Sequence, residues 1–285
     1  MKRSPWALWG LCMVGISVVG CSTAFGRAAA TDAAKYAVSD ANEQKLGEQV
    51  HQELAKQGTK YVNDPLVNSY VAGVANRVLS QAKKDRPGVT WRTYVIDDPK
   101  TVNAFAVPGG SLYVYTGLLL AADNEAELAG VWGHEAGHVV ARHSAQQLVS
   151  AYGLEAVTSL AFGKNPGLLS KLGSQLVGKG AMLAYSRGNE TEADEFGARY
   201  AAAAGYDPHG IVQFFEKLGK SEGKSSRAML FLSDHPLTAD RVDAINRYIS
   251  AKRLRGRDLG ADRLASIKAR LGNQTPLTPK SSSDR

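Results

Sequence analysis

Cysteine is almost missing from this 285-residue chain, which has only Cys12 and Cys21. If Cys21 is modified, as its surroundings suggest below, the mature chain keeps neither a free thiol nor a disulfide. An oxidising compartment is then compatible but unused. Long apolar runs are missing too: the apolar, charge-free stretch from Trp6 to Val19 is too short to cross a bilayer comfortably. No internal repeat and no nucleic-acid motif occurs, which removes solenoids and argues against a nucleic-acid partner.

What remains is ordinary globular material, 44% hydrophobic and 21% charged, enough for a substantial core. The formal charge of +7 is unevenly placed. Lys2 and Arg3 stand at the extreme N-terminus, and nine basic residues against three acidic ones lie between Lys252 and Arg285. That tail suits an anionic membrane surface or an acidic partner. At the other end, a basic start and a short apolar core read as a signal peptide over residues 1–20. It ends in Val18-Val19-Gly20-Cys21, which resembles the bacterial lipobox and marks Cys21 for lipidation. Ser22 after it resembles the sorting preference for the outer membrane, so a periplasmic, lipid-anchored location is expected; ordinary cleavage near Ala28 to Ala30 is the alternative.

Residues 21–38 read as a tether, 39–250 as one mainly helical domain with a small sheet, and 251–285 as a basic, partly disordered tail. Asp40 with Glu43 has a capping-box pattern, and Asp64-Pro65 opens a second helix with Leu66, Tyr70, Val74 and Val78 on one face. Val89 to Asp97 has strand character. The Pro108-Gly109-Gly110 turn makes a hairpin of the segments beside it, with proline confining the first to a sheet edge.

Gly133-His134-Glu135-Ala136-Gly137-His138 carries the chemistry. Histidines four apart lie about 40° apart around a helix, so both imidazoles face one way and supply two ligands to a metal. Glu135 beside them is placed to take a proton from water. A catalytic zinc needs a third ligand. The metzincin pattern requires glycine at 141 and histidine at 144, where Ala141 and Ser144 stand, so that solution fails. On a continued helix His143 points away from the metal, as a residue behind the site or on the surface. His51 and His209 lack a partner motif and read as surface residues. A carboxylate from Glu190-Thr191-Glu192-Ala193-Asp194 is the remaining source. Glu190 and Asp194 share a helical face, whereas Glu192 pairs with Asn189 as a capping box; spacing alone leaves Glu190 and Glu192 both open.

His-Glu-x-x-His followed by Glu-x-x-Ala-Asp resembles the HtpX and CaaX-prenyl-protease group of gluzincin metallopeptidases, and its soluble bacterial lipoprotein branch in particular. The likeness extends to Asn103-Ala104-Phe105-Ala106-Val107-Pro108-Gly109-Gly110 and to Asp234-His235-Pro236 with Arg241, and covers roughly residues 35–250. It implies an α+β, zincin-like fold whose edge strand lines the active-site cleft. It also implies one Zn2+ per chain on His134, His138 and Glu190, and a supporting or proton-donating Asp194. His235 is expected near the site with a catalytic role, steadying the tetrahedral intermediate or covering the metal, and Arg241 is expected to pair with its carboxylates or with substrate. The reaction expected is peptide-bond hydrolysis with Glu135 as general base, Asn103 to Ala106 pairing with an extended substrate, and unfolded or misassembled envelope proteins as clients. A loop over the cleft, near Gly163 or His235, would restrain activity. The alternative is a zinc-binding periplasmic chaperone that cleaves little, against which the intact Glu135 argues.

Overall fold

The computed structural model describes residues 38–179, 185–221, 229–236 and 238–274. Cys21, the signal segment, residues 21–37 of the tether, residues 222–228 and the last eleven residues lie outside them. No helix among the described residues is long and apolar enough to cross a membrane.

Helix α1 (Asp40–Lys56) is capped by Ser39, whose hydroxyl accepts the Asn42 N–H at 3.2 Å. The expected pair Asp40 and Glu43 do not cap it. They bind Arg86 at 2.7 and 2.8 Å and also pair with Arg142. Helix α2 (Pro65–Asp85) begins as expected, with Asp64 accepting the Leu66 and Val67 N–H groups. Its inward face is Val67, Val71, Val74 and Val78, while Leu66 is 61% exposed, so the face is rotated by one residue at its start.

Strands β1 (Arg92–Ile96), β2 (Ala104–Val107) and β3 (Ser111–Tyr115) form one sheet in the order β1-β3-β2. β1 runs parallel to β3, and β2 antiparallel to it at the edge, as Pro108 requires. Gly109 and Gly110 turn the hairpin at φ +86° and +99°. A Cβ on Gly109 would lie 2.5 Å from Gln44 Cα, so α1 rests directly on the turn. Side chains alternate across the sheet. Ala104, Ala106, Leu112 and Val114 enter the larger core; Phe105, Val107, Tyr113 and Tyr115 enter a smaller, aromatic one.

Helices α3 (Thr116–Ala121) and α4 (Glu125–Val140) follow; Asn124 caps α4 by accepting the Glu127 N–H. Then α5 (His143–Tyr152), α6 (Leu154–Ala161) and α7 (Pro166–Lys179) cover the smaller core against α1. The larger core takes α8 (Arg187–Ala203), α9 (Gly210–Ser221), α10 (Met229–Asp234) and α11 (Ala239–Lys252), the last capped by Thr238. One more helix, α12 (Ala261–Gln274), lies in the segment read as a basic, partly disordered tail. Leu264, Ile267 and Leu271 recur at helical spacing and are buried in the larger core, so the packed body runs past residue 250.

The α4–α8 contact decides the site. A Cβ on Gly133 would lie 2.9 Å from Gly197 Cα, and one on Gly137 2.8 Å from Phe196 Cβ. Glycine on both helices lets the backbones touch, which brings the start of α8 against the histidines of α4.

Candidate metal centre

His134, Glu135 and His138 project from α4, all essentially buried. Ser186 caps α8 in a reciprocal box with Asn189, rather than the expected Asn189 with Glu192, and this sets Glu190 in the first turn facing α4. His134 Nε2 and His138 Nε2 stand 3.1 Å apart, and Glu190 oxygens lie 3.6 Å from each. His235 Nδ1 completes the group, 3.1 Å from both His134 Nε2 and Glu190 Oε1. One donor atom from each of these four residues lies within 4.8 Å of the others.

Lone pairs crowded together out of water repel unless they share a cation. The spacing suits zinc: tetrahedral ligands about 2.0–2.1 Å from the metal stand roughly 3.3–3.4 Å from one another. Spacing had left Glu190 and Glu192 open; of the two, Glu190 faces the histidines.

Each imidazole is held from behind. His134 Nδ1 donates to Asp194 Oδ1 at 2.9 Å, leaving Nε2 as the lone-pair nitrogen. Arg241 grips Asp194 with two bonds of 2.7 and 2.8 Å, reaches Glu190 at 3.0 Å, and donates to the Pro236 carbonyl. Both Asp194 oxygens are thus engaged, which suits orienting a ligand ring better than donating a proton to substrate. His138 Nδ1 lies 3.0 Å from His143 Nδ1. His143 does not continue α4: Arg142 adopts φ +60° and α5 begins anew, so a buried His143 turns back behind His138.

Burial favours the neutral forms here, and the neighbours decide how far. It pushes the Glu135 carboxyl up and His138 well below its usual range, the nearby imidazoles adding to the latter. Burial also opposes the charge on Glu190, yet His235, His134 and Arg241 hold that carboxyl down at about 2. Burial opposes His235 as well, but the Glu190 and Glu135 carboxylates raise it to about 9.

Glu135 Oε1 is buried without a hydrogen-bond partner, 3.3 Å from His235 Nε2, and the Ala106 backbone N–H reaches the Glu135 carboxylate. The β2 edge therefore does face the site. Asn103, expected to touch substrate, is fully buried; its amide donates to Asp234 Oδ2 at 2.9 Å and its carbonyl accepts the Ala104 N–H. Phe105 points into the smaller core. With the Ala104 and Ala106 N–H groups both engaged, strand pairing by a substrate needs displacement at this edge.

His209 is a surface residue bonded to Asp207, but His51 is half-buried, stacked on Tyr94 and 3.0 Å from the Tyr113 hydroxyl. Gly163 lies beside Gln49 of α1 and not at the site. Sequence reasoning missed Tyr185, whose ring stacks on His138 with centroids 3.8 Å apart, and gave no role to Asp234 of the Asp234-His235-Pro236 motif, which burial raises to about 6. Neither sits in a metal-ligand spacing.

The model of peptidase family M48 matches residues 65–249. The chain belongs to peptidase family M48. This bears out the family expected from the motifs. Among curated relatives, metalloprotease LoiP of Escherichia coli is 33% identical over 221 residues, 76% of this chain and 84% of that protein. Mitochondrial metalloendopeptidase OMA1 of Schizosaccharomyces pombe is 34% identical over 180 residues, 63% of this chain and 52% of that protein. The beta-barrel assembly-enhancing protease of Escherichia coli is 31% identical over 196 residues, 65% of this chain and 40% of that protein. The chain thus spans about half or less of the last two. The M48 match stops within α11, although α1 and α12 pack against the same body.

Proposed function

We propose that this M48 chain is a zinc-dependent metalloendopeptidase of the bacterial envelope, acting on unfolded or misassembled envelope proteins. The observation that carries the reading is the convergence of His134, His138 and Glu190 beside a buried Glu135 whose Oε1 has no hydrogen-bond partner. A binding module needs the first feature but has no use for the second. One Zn2+ held there supplies Lewis acidity to the scissile carbonyl and to water.

The chain's own groups do the rest. Asp194 and Arg241 keep the His134 ring in place. Glu135, its carboxyl raised by burial toward the working range of a general base, takes the proton from the attacking water and returns it to the leaving amine. His235 Nδ1 stands beside the ligand atoms, where water has to enter, so the His235 loop moves aside before hydrolysis and restrains the site until a client arrives. The client class is supported by the name of one relative, a beta-barrel assembly-enhancing protease, and the N-terminal lipobox-like segment supports a periplasmic enzyme lipid-anchored through Cys21 to the outer membrane. The test is incubation of the purified chain with a reduced, unfolded protein: cleavage should appear with zinc, vanish with a chelator and return when zinc is restored. Cleavage indifferent to chelation would overturn the reading.

A further inference from the structure

We infer that His143 and Glu192 form a hydrogen-bond relay that fixes the proton and ring plane of His138, making them positioning residues for a metal ligand. The inference rests on the reading that His134, His138 and Glu190 hold the metal.

The direction of the relay follows from counting protons. His138 Nε2 faces the other donor atoms, 3.1 Å from His134 Nε2 and 3.6 Å from Glu190 Oε1, so that nitrogen carries the lone pair. A neutral imidazole has one N–H and one acceptor nitrogen, which places the His138 proton on Nδ1. It points at His143 Nδ1, 3.0 Å away, which must accept. The His143 proton is then on Nε2, 3.2 Å from Glu192 Oε2, and is donated to that carboxylate. Reversing either bond would put a proton between the metal-facing atoms. The chain runs from a fully buried ring through a second one to a carboxylate that is 46% exposed.

Local backbone makes this arrangement. After α4, Arg142 takes a left-handed conformation that a non-glycine residue adopts only at a cost. It is anchored by donating to the Val38 carbonyl and by a 3.2 Å ion pair with Glu43. The turn presents His143 to the edge of His138 and Ser144 to Tyr185. The Ser144 and Tyr185 hydroxyls lie 2.7 Å apart, and the Tyr185 ring covers the face of His138. The first two residues of α5 therefore grip one ligand by edge and, through Tyr185, by face. Glu192 is available because Ser186 and Asn189 cap α8 without it.

The test is zinc affinity, measured by competition with a chromophoric chelator, together with melting of the metal-free chain. His143→Ala removes the acceptor for His138 and should weaken zinc binding about 10–100-fold, the usual effect of removing a partner behind a ligand. His143→Gln, which keeps an acceptor oxygen, should recover part of it. Glu192→Ala should weaken binding less, and the double variant no more than His143→Ala alone, because the two act in series. Independent, additive losses would overturn the relay, as would wild-type affinity in His143→Ala. Should buried His143→Ala fail to fold, the half-exposed Glu192 carries the test, and unchanged affinity in Glu192→Ala overturns the relay. An unaltered chain that binds no zinc brings down the metal reading and the relay with it. An unaltered chain that binds zinc, with variants that bind it equally well, brings down the relay alone.

Discussion

The two histidines of α4 are held by opposite means. Behind His134 stands a buried ionic pair, Asp194 and Arg241, 1% and 5% exposed. It joins α8 to the start of α11. Behind His138 stands a second imidazole leading to the half-exposed Glu192. One support is charged and sealed; the other is a chain of single hydrogen bonds that reaches solvent. The difference teaches where the site is rigid. The His134 side cannot lose a member without stranding a buried charge, whereas the His138 side can be weakened in steps.

The largest expected effect therefore comes from breaking the ionic side. Arg241→Ala leaves the buried Asp194 carboxylate without its cation and should cost about 3–5 kcal/mol, read from the urea midpoint. A loss below 1 kcal/mol would show the pair to be dispensable and erase the contrast. Gly197→Ala strikes the helix contact beneath both supports. Its Cβ would meet Gly130 O and Ile211 Cδ1 at 3.0 Å. We expect about 1–3 kcal/mol from overpacking, with weakened zinc binding as Glu190 is pushed outward; unchanged zinc affinity would show that α8 is not held by that approach.

Asp234, beside the His235 loop, tests the electrostatics through pH. Burial raises its carboxyl from 3.8 to about 6, against the pull of Asn103 and His235. The folded pKa lies above the unfolded one, so ionisation opposes folding: the cost is absent below about pH 3.8, grows as pH rises, and is complete above about 6. Asp234→Asn should thus stabilise the metal-free chain by about 1–2 kcal/mol at pH 7.5 and by nothing at pH 3.5. A pH-independent difference between the two melting curves would contradict this. Smallest is Ser144→Ala, which releases the Tyr185 hydroxyl on the relay side at about 1 kcal/mol. If it costs as much as Arg241→Ala, the two supports are not different in kind.

The candidate metal cluster was legible in the sequence because metal chemistry fixes residue type and spacing together. His134, Glu135 and His138 announce themselves on one helix face, and family resemblance pointed to Glu190, His235 and Arg241. Of the supports, Asp194, Arg241 and His143 were named from the sequence, but the contacts that make them supports were not. Glu192 has the spacing of a cap from Asn189, but Ser186 one turn earlier does the capping. Arg142 ends α4 without a glycine or proline to mark the break, so His143 was projected onto a helix that does not continue. Tyr185 meets His138 across 47 positions that no spacing rule connects. That the helix beyond residue 250 packs on the body was hidden by its charge, although Leu264, Ile267 and Leu271 carry the helical period in plain view.

The central claim is that Glu135 acts on a metal site that it does not help to hold. Glu135→Gln should bind zinc as tightly as the unaltered chain and cleave an unfolded protein at least about 100-fold more slowly. Equal cleavage by the two proteins would contradict the account.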